Sequence, residues 1–252
     1  MITYPPDFIR YKKQKKPIFM LTAYDACMAS LITNAGIDAI LVGDSLGNVI
    51  AGLDSSIPVS LEQQLYHTTL VSRGAKQTCV VTDMPFLSYH CGKDDAIKQA
   101  GRLIKEGGAK AVKCELLPAL MPTIKHLIDC GIPVMGHLGL TPQYHSQLGG
   151  FKKQGVTKQQ QQYTLDLALE AQKIGCFSLV LESLDENLAK EITTQCTIPT
   201  IGIGAGKHCD GSVLVSYDLF GFTKGPSSFN IPVHDGVGFI KTCVNSFKKH
   251  HS

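Results

Sequence analysis

Tryptophan is absent from this 252-residue sequence, and so are apolar runs long enough to cross a membrane. A transmembrane helix needs about 20 mainly apolar residues, and no run approaches that length. The segment Met1–Lys16 reaches charged side chains without the apolar core that a signal peptide requires. We therefore expect a cytoplasmic protein that does not attach to membranes.

Charge of either sign is also sparse. The chain carries 24 Lys and Arg against 21 Asp and Glu, a formal net charge of +3. This excess is too small to indicate nucleic-acid binding, and the basic clusters at Lys12–Lys16 and Lys248–His251 are interpreted as solvated surface. Nine cysteines are scattered without a C-x-x-C pair, so the sequence predicts neither a disulfide framework nor a zinc site.

The sequence does contain a repeated alternation of short apolar runs and polar, helix-like stretches. Runs without apolar/polar alternation are typical of strands buried on both faces. The eight runs are Ile18–Thr22, Ala39–Val42, Cys79–Thr82, Ala111–Cys114, Pro133–Gly136, Ser178–Leu181, Thr200–Ile203 and Val213–Ser216. The predicted helices between them, with a small polar residue before or a glycine after, are Ala26–Ala35, Leu61–Arg73, Ala96–Glu106 and Gln159–Lys173.

Eight such units in about 250 residues are typical of a closed (β/α)₈ TIM barrel. We therefore predict a single α/β domain over residues 1–252, with a short N-terminal lead-in and a C-terminal helical tail. An open, doubly wound parallel sheet is the alternative.

Polar side chains recur where the predicted strands end. In a (β/α)₈ barrel the reacting groups lie at the C-terminal ends of the strands. One such residue can simply be a helix cap or a turn former, but five strand ends together predict an active site. The residues are Asp44, Ser45, Asp83, Lys113, Glu115, His137 and Glu182.

The residue types at these positions favour metal-assisted chemistry on a 2-oxo acid. Asp44, Asp83 and Glu115 are hard oxygen ligands, which favour Mg²⁺ over zinc. A 2-oxo acid could chelate that ion, which would stabilise the enolate formed when the neighbouring carbon loses its proton. Lys113 could add positive charge beside the substrate, and His137 could donate a hydrogen bond to the same oxygen. Glu182 lies outside the metal set and is the candidate base.

A glycine-rich segment, Gly202–Lys207, does not have the spacing of a nucleotide-binding motif. Its second and third glycines are separated by one residue instead of two, and its lysine is followed by His208. We interpret it as a strand that runs into a loop where backbone can approach a ligand.

Several segments together resemble the ketopantoate hydroxymethyltransferase family. They run from about Leu21 to Gly221 and occur in the family's order and spacing. The specific signal is VGDSLG (Val42–Gly47) followed by TDMPF (Thr82–Phe86) and GHLGLTPQ (Gly136–Gln143). Other matching segments are GGFKKQG (Gly149–Gly155), LVLE (Leu179–Glu182) and IPTIGIGAGKHCDG (Ile198–Gly211).

The resemblance implies a (β/α)₈ barrel that uses one Mg²⁺ per subunit to transfer a one-carbon unit from 5,10-methylenetetrahydrofolate to 3-methyl-2-oxobutanoate. It implies that Asp44, Asp83 and Glu115 form the metal site and that Glu182 accepts the proton. It also implies substrate contacts from Asp44, Ser45, Asp83 and Lys113. Members of the family form cytoplasmic homo-oligomeric rings, commonly decamers.

Two segments depart from the family pattern. Leu116 and Leu117 stand where the family usually has two glycines, and Pro226–Asn230 lacks the usual basic residue. Three other readings of the residues remain: a magnesium-dependent lyase or mutase on the same barrel, a Schiff-base aldolase that uses Lys113, and an inactive ligand-binding relative.

Overall fold

The alternation of strands and helices gives a closed parallel barrel in the computed structural model, which describes residues 2–144, 153–223 and 234–250. Each strand pairs in parallel with the next, and β8 returns to pair with β1. The strands are β1 (Ile18–Thr22), β2 (Ala39–Val42), β3 (Cys79–Asp83), β4 (Ala111–Glu115), β5 (Val134–Gly139), β6 (Ser178–Glu182), β7 (Thr200–Ile203) and β8 (Gly211–Leu214). The predicted (β/α)₈ barrel is confirmed, and the open-sheet alternative is wrong because β1 pairs with β8.

Helices cover the outside of the barrel. Those within the described ranges are α1 (Pro6–Lys13), α2 (Ala26–Asn34), α3 (Leu46–Val49), α4 (Leu61–Gly74), α5 (Lys93–Lys105), α6 (Met121–Asp129), α7 (Lys158–Ile174), α8 (Glu186–Gln195), α9 (Ser216–Leu219) and α10 (Gly236–Lys249). Capping boxes begin α4 at Ser60 and α7 at Thr157. None of the helices in these ranges is long and apolar enough to span a membrane.

The predicted bounds differ from the structure chiefly at the strand ends. Strands β3, β4 and β6 each extend one residue further, to Asp83, Glu115 and Glu182. The cause is the ladder itself, since Asp83 pairs with Lys113 and Gly139 pairs with Glu182. The polar residues therefore belong to the strands and are held by backbone pairing.

The bounds of β5, β8 and α5 were also predicted wrongly. Strand β5 begins at Val134 and continues to Gly139, three residues beyond its predicted end, because its backbone pairs with β6 as far as Glu182. Strand β8 begins at Gly211 and ends before Ser216, which lies in α9. A Cβ at position 211 would lie 2.0 Å from the backbone oxygen of Ile18, so glycine permits the closing contact. Helix α5 begins at Lys93 after Gly92, and Asp94 lies in its first turn instead of capping it.

The N-terminal lead-in closes one end of the barrel. Phe8 of α1 packs against Phe177 with ring centroids 5.3 Å apart, and both belong to the buried cluster inside the barrel. The Lys12 ammonium lies 2.9 Å from Asp210 Oδ2 and also donates to the backbone oxygen of Thr193. The expectation that Lys12 is solvated was therefore wrong. With this end closed, the opposite end offers space for a ligand.

Candidate active site

A pocket of about 670 Å³ opens at the C-terminal ends of the strands. All seven strand-end residues predicted from the sequence line it. They are Asp44, Ser45, Asp83, Lys113, Glu115, His137 and Glu182. The glycine-rich segment after β7 also reaches the pocket through Gly204, which has a φ of +62°. The volume is in the range that pockets for drug-sized ligands occupy.

A buried ion pair joins the third and fourth strands. Lys113 Nζ lies 2.6 Å from Asp83 Oδ1, and these side chains are 10% and 3% exposed. Burial raises the pKa of Asp83 to about 6, although the Lys113 charge opposes that rise. For Lys113, burial lowers the pKa, but the charges of Asp83 and Asp44 outweigh it and leave the pKa above its ordinary value.

Lys113 is therefore an ammonium at neutral pH. A Schiff base needs the unprotonated amine, so this environment disfavours the aldolase alternative. The environment of Lys113 instead suits a side chain that carries a permanent positive charge.

Two hydrogen bonds hold Asp44 against its neighbours. Its backbone N–H donates to Asp83 Oδ2 at 3.0 Å, and its own Oδ2 accepts from Gln143 Nε2 at 2.9 Å. Ser45, the next residue, forms a hydrogen bond of 2.9 Å with the Tyr24 hydroxyl. A Cβ at position 43 would approach Ser45 Oγ to 2.6 Å, so Gly43 permits this turn.

Gln143 and Tyr89 hold Glu115 in place. The backbone N–H of Gln143 donates to Glu115 Oε1 at 3.2 Å. The Tyr89 hydroxyl accepts from the Glu115 N–H and donates to Gln143 Oε1, both at 3.1 Å. Burial raises the pKa of Glu115 well above its ordinary value. Gln143 thus links Asp44 to Glu115 across the pocket floor.

Neither Tyr89 nor Gln143 was identified as functional from the sequence. Gln143 ends the GHLGLTPQ segment, so that motif carried a signal for it. Tyr89 lies in the stretch between β3 and α5 and is distinguished only by its position in the fold.

The oxygen atoms at the pocket floor fit a magnesium ion. Glu115 Oε2 has no hydrogen-bond partner among the described residues, and Asp44 and Asp83 bring further carboxylate oxygens to the same pocket. Mg²⁺ is commonly held by one or two carboxylates with waters and substrate oxygens. Within the described ranges no three His, Cys, Asp or Glu side chains are close enough to share an ion. The set of three carboxylate ligands therefore stays a prediction, as does the use of Asp44 and Asp83 within it.

Glu182 lies at the end of β6 with its side chain 16% exposed. Burial raises its pKa to about 8; the Lys113 charge lowers it, and that of Asp44 raises it. Oε2 lies 3.2 Å from His137 Nε2. Burial, with the nearby Lys113 charge, holds the pKa of His137 well below its ordinary value. The imidazole is therefore neutral, and neither of its nitrogens forms a hydrogen bond with a described residue. The predicted hydrogen bond from His137 to the substrate stays untested.

The turn after Glu182 holds the carboxylate toward the pocket. Ser183 has a φ of +48°, which is uncommon for a residue with a side chain. Its N–H donates to the backbone oxygen of Ile203 at 2.8 Å. On the other side, a Cβ at Gly139 would lie 2.2 Å from the Glu182 backbone oxygen. Neighbouring strands therefore fix the backbone on both sides of Glu182.

The two departures from the family pattern have different outcomes. Leu116 continues the ladder, because its N–H donates to the His137 backbone oxygen at 3.0 Å and its side chain is buried. The path beyond Glu115 thus stays on the barrel. Pro226–Asn230 lies outside the described residues, as does part of the GGFKKQG segment.

Comparison with known proteins gives the family. The model of the family described as ketopantoate hydroxymethyltransferase matches residues 3–251. The chain belongs to this family. It is 50% identical over 216 residues to the 3-methyl-2-oxobutanoate hydroxymethyltransferase of Thermoanaerobacter sp. (strain X514), an alignment that covers 86% of this chain and 79% of the relative. The predicted family is confirmed, and with it the prediction of a one-carbon transferase that acts on small molecules.

Solved structures of other proteins share the barrel. One is 2,3-dimethylmalate lyase, of the PEP mutase/isocitrate lyase superfamily, with a TM-score of 0.66 and 14% identity over 100% of this chain and 90% of that one. Another is phosphonopyruvate hydrolase in complex with oxalate and Mg²⁺, with a TM-score of 0.61 and 10% identity over 84% and 80% of the two chains. At these identities the likeness concerns the fold alone.

Proposed function

We propose that this ketopantoate hydroxymethyltransferase family member transfers a one-carbon unit from 5,10-methylenetetrahydrofolate to 3-methyl-2-oxobutanoate, giving 2-dehydropantoate for pantothenate biosynthesis. The observation that carries the proposal is the position of Glu182. Its carboxylate faces the same pocket as the Lys113 ammonium and the carboxylates of Asp44 and Asp83. A base and an anion-binding group are thus available to one small substrate.

The acidic and basic groups have different roles in binding the oxo acid. Lys113 offers a fixed positive charge to the carboxylate or keto oxygen of the substrate, and Asp83 keeps that ammonium in place at 2.6 Å. Asp44 and Asp83 would hold one Mg²⁺ per subunit, with Glu115 beside them. When bound, the ion supplies Lewis-acid stabilisation of negative charge on the keto oxygen.

Glu182 is the group that moves the proton. Its raised pKa of about 8 makes it a stronger base than an ordinary carboxylate once it is ionised. A cation at Asp44 and Asp83 favours that ionised form. Glu182 then takes the proton from C3 of the oxo acid, and C3 forms a bond to the methylene carbon of the folate as the bond from that carbon to N10 breaks and N10 takes up the proton held by Glu182. Water then displaces N5 from the same carbon, leaving its oxygen as the hydroxyl group and its proton on N5, so that tetrahydrofolate leaves.

The first test is deuterium exchange at C3 of 3-methyl-2-oxobutanoate, followed by proton NMR with and without Mg²⁺ and in the absence of folate. We expect the C3 signal to disappear only when enzyme and metal are both present. Adding 5,10-methylenetetrahydrofolate should then yield 2-dehydropantoate. A persistent C3 signal, both with Mg²⁺ alone and with tetrahydrofolate added, would contradict the proposal.

We also propose that the protein is a homo-oligomer that associates through α10. Val237, Ile240 and Val244 recur at helical spacing on this helix and, with Phe239, are 45% to 67% exposed. Apolar patches of this kind often mark protein–protein contacts. Light scattering of the Phe239→Glu/Ile240→Glu double variant should give a smaller mass than wild type, whereas Lys241→Glu should not. A wild type that is already monomeric would contradict this. The decameric ring and the cytoplasmic location stay predictions.

A further inference from the structure

The pocket has a second polar wall that the oxo acid does not need. Asp218, in α9, also lines the pocket and is 8% exposed. Asp54 is the other acidic residue of this region, and it is exposed. A five-carbon oxo acid held by Lys113 and Glu182 fills only part of about 670 Å³, which leaves room for a second ligand beside it.

Asp218 is a buried acceptor. Among the described residues, no Lys, Arg or His forms an ion pair with it. The Thr223 hydroxyl donates to Oδ1 at 2.5 Å, and the structure gives Oδ2 no donor in the described ranges. Oδ2 is not among the fully buried unpartnered side-chain atoms of the described residues, so it is accessible to a ligand. The carboxylate oxygens of Asp218 can therefore accept hydrogen bonds from a ligand that has two adjacent N–H groups.

Helix α9 holds this carboxylate in a defined position. Ser216 is fully buried, and its N–H donates to Thr22 Oγ1 of β1 at 3.0 Å. Tyr217 packs edge-on against both Tyr24 and Phe222, with ring centroids 5.8 Å apart in each pair. The acceptor is thus preorganised by contacts with the barrel rather than carried on a free loop.

We propose that Asp218 recognises the pterin ring of the folate. This rests on the proposed function, because it takes a tetrahydrofolate as the second ligand. The 2-amino group and N3–H of a pterin form an edge with two donors, which matches a carboxylate as a guanidinium does. The glutamate tail is anionic and is repelled by Asp218, so the ring enters first and the tail points toward the pocket mouth.

The ligand-side test uses the wild-type enzyme and two small ligands. One is 6-methyltetrahydropterin, and the other is its counterpart with a 2-oxo group in place of the 2-amino group. Binding of each is measured by anaerobic calorimetry. Replacing a donor by an acceptor beside a carboxylate should weaken binding by about tenfold or more. Equal affinity for the two ligands would overturn the proposal.

The matched variants are Asp218→Asn and Asp54→Asn, with tetrahydrofolate as the ligand. Asn at 218 keeps an oxygen for Thr223 but presents an amide N–H to the pterin donors. We expect its Kd for tetrahydrofolate to rise about tenfold or more and its preference for the 2-amino ligand to disappear. Asp54→Asn should stay close to wild type. Unchanged tetrahydrofolate binding by Asp218→Asn would overturn the proposal.

C3 exchange without folate separates this inference from the proposed function. Exchange that persists in Asp218→Asn while tetrahydrofolate binding is lost supports the inference and shows that the variant folds. Should exchange fail in Asp218→Asn, the wild-type preference between the two pterins decides. Absence of exchange in wild type, both with Mg²⁺ alone and with tetrahydrofolate added, would refute the proposed function. Equal affinity for the two pterins in a wild type that still exchanges C3 would refute the inference alone.

Discussion

Replacing Glu182 by Gln should make the enzyme more stable and nearly inactive. The folded carboxyl keeps its proton up to a pKa of about 8, whereas an unperturbed one loses it near 4.5. Between these values the unfolded state binds fewer protons, so this group lowers the stability of the wild type as pH rises. Gln has the same shape and cannot ionise, so it removes that penalty.

The size of the stability effect follows from the pKa of Glu182. Each pH unit between the two pKa values is worth about 1.4 kcal/mol. From pH 6 to pH 9 the advantage of Glu182→Gln over wild type should therefore grow by up to roughly 3 kcal/mol. Water in the pocket screens part of the burial penalty, so we expect about 1–3 kcal/mol. The pH dependence of all other groups cancels in the difference between the two proteins.

The assay is urea unfolding of both proteins in EDTA at one protein concentration, at pH 6 and pH 9. Glu170→Gln, a change at an exposed position of α7, is the control and should show no pH-dependent difference. The C3 exchange rate of Glu182→Gln should fall by about 10²–10⁴-fold, as for loss of a general base. A stability difference that does not change between pH 6 and pH 9 would refute the raised pKa. Exchange within a few-fold of wild type would remove Glu182 from the reaction.

Three further changes probe the groups around it. Asp83→Asn should raise the Mg²⁺ concentration needed for half-maximal exchange, whereas normal exchange at low Mg²⁺ would contradict its role as a ligand. Lys113→Met should lower the free energy of unfolding by about 3–5 kcal/mol, because a buried carboxylate loses its counter-ion; removing the exposed Lys125 should cost about 1 kcal/mol or less. Tyr89→Phe should cost about 1–3 kcal/mol and weaken Mn²⁺ binding measured by electron paramagnetic resonance. Unchanged Mn²⁺ affinity in that variant would mean that Tyr89 does not position the metal site.

The site residues could be predicted from the sequence where a local pattern marks them. A polar residue directly after an apolar run marks the end of a parallel strand, and a barrel gathers those ends at one rim. All seven strand-end residues therefore line the pocket. The exact bounds were harder to predict, because the backbone ladder continues through Asp83, Glu115 and Glu182 regardless of their polarity.

Residues that act through distant contacts could not be found in this way. Tyr89 reaches Gln143, 54 residues further along the chain, and the helix that carries Asp218 is joined to the barrel by the hydrogen bond from Ser216 to Thr22, 194 residues away. Nothing in the neighbouring sequence of Tyr89 or Asp218 indicates such a contact.

The sequence by itself determined the alternation of strands and helices, the family, and the polar residues at the strand ends, because these depend on local hydrophobicity and chain order. The tertiary structure decided which groups share the pocket and how they ionise. Closure of β1 onto β8 removes Glu182, Asp83 and Lys113 from water and sets their distances. Burial and distance then set the pKa values, and neither exists until the barrel has closed.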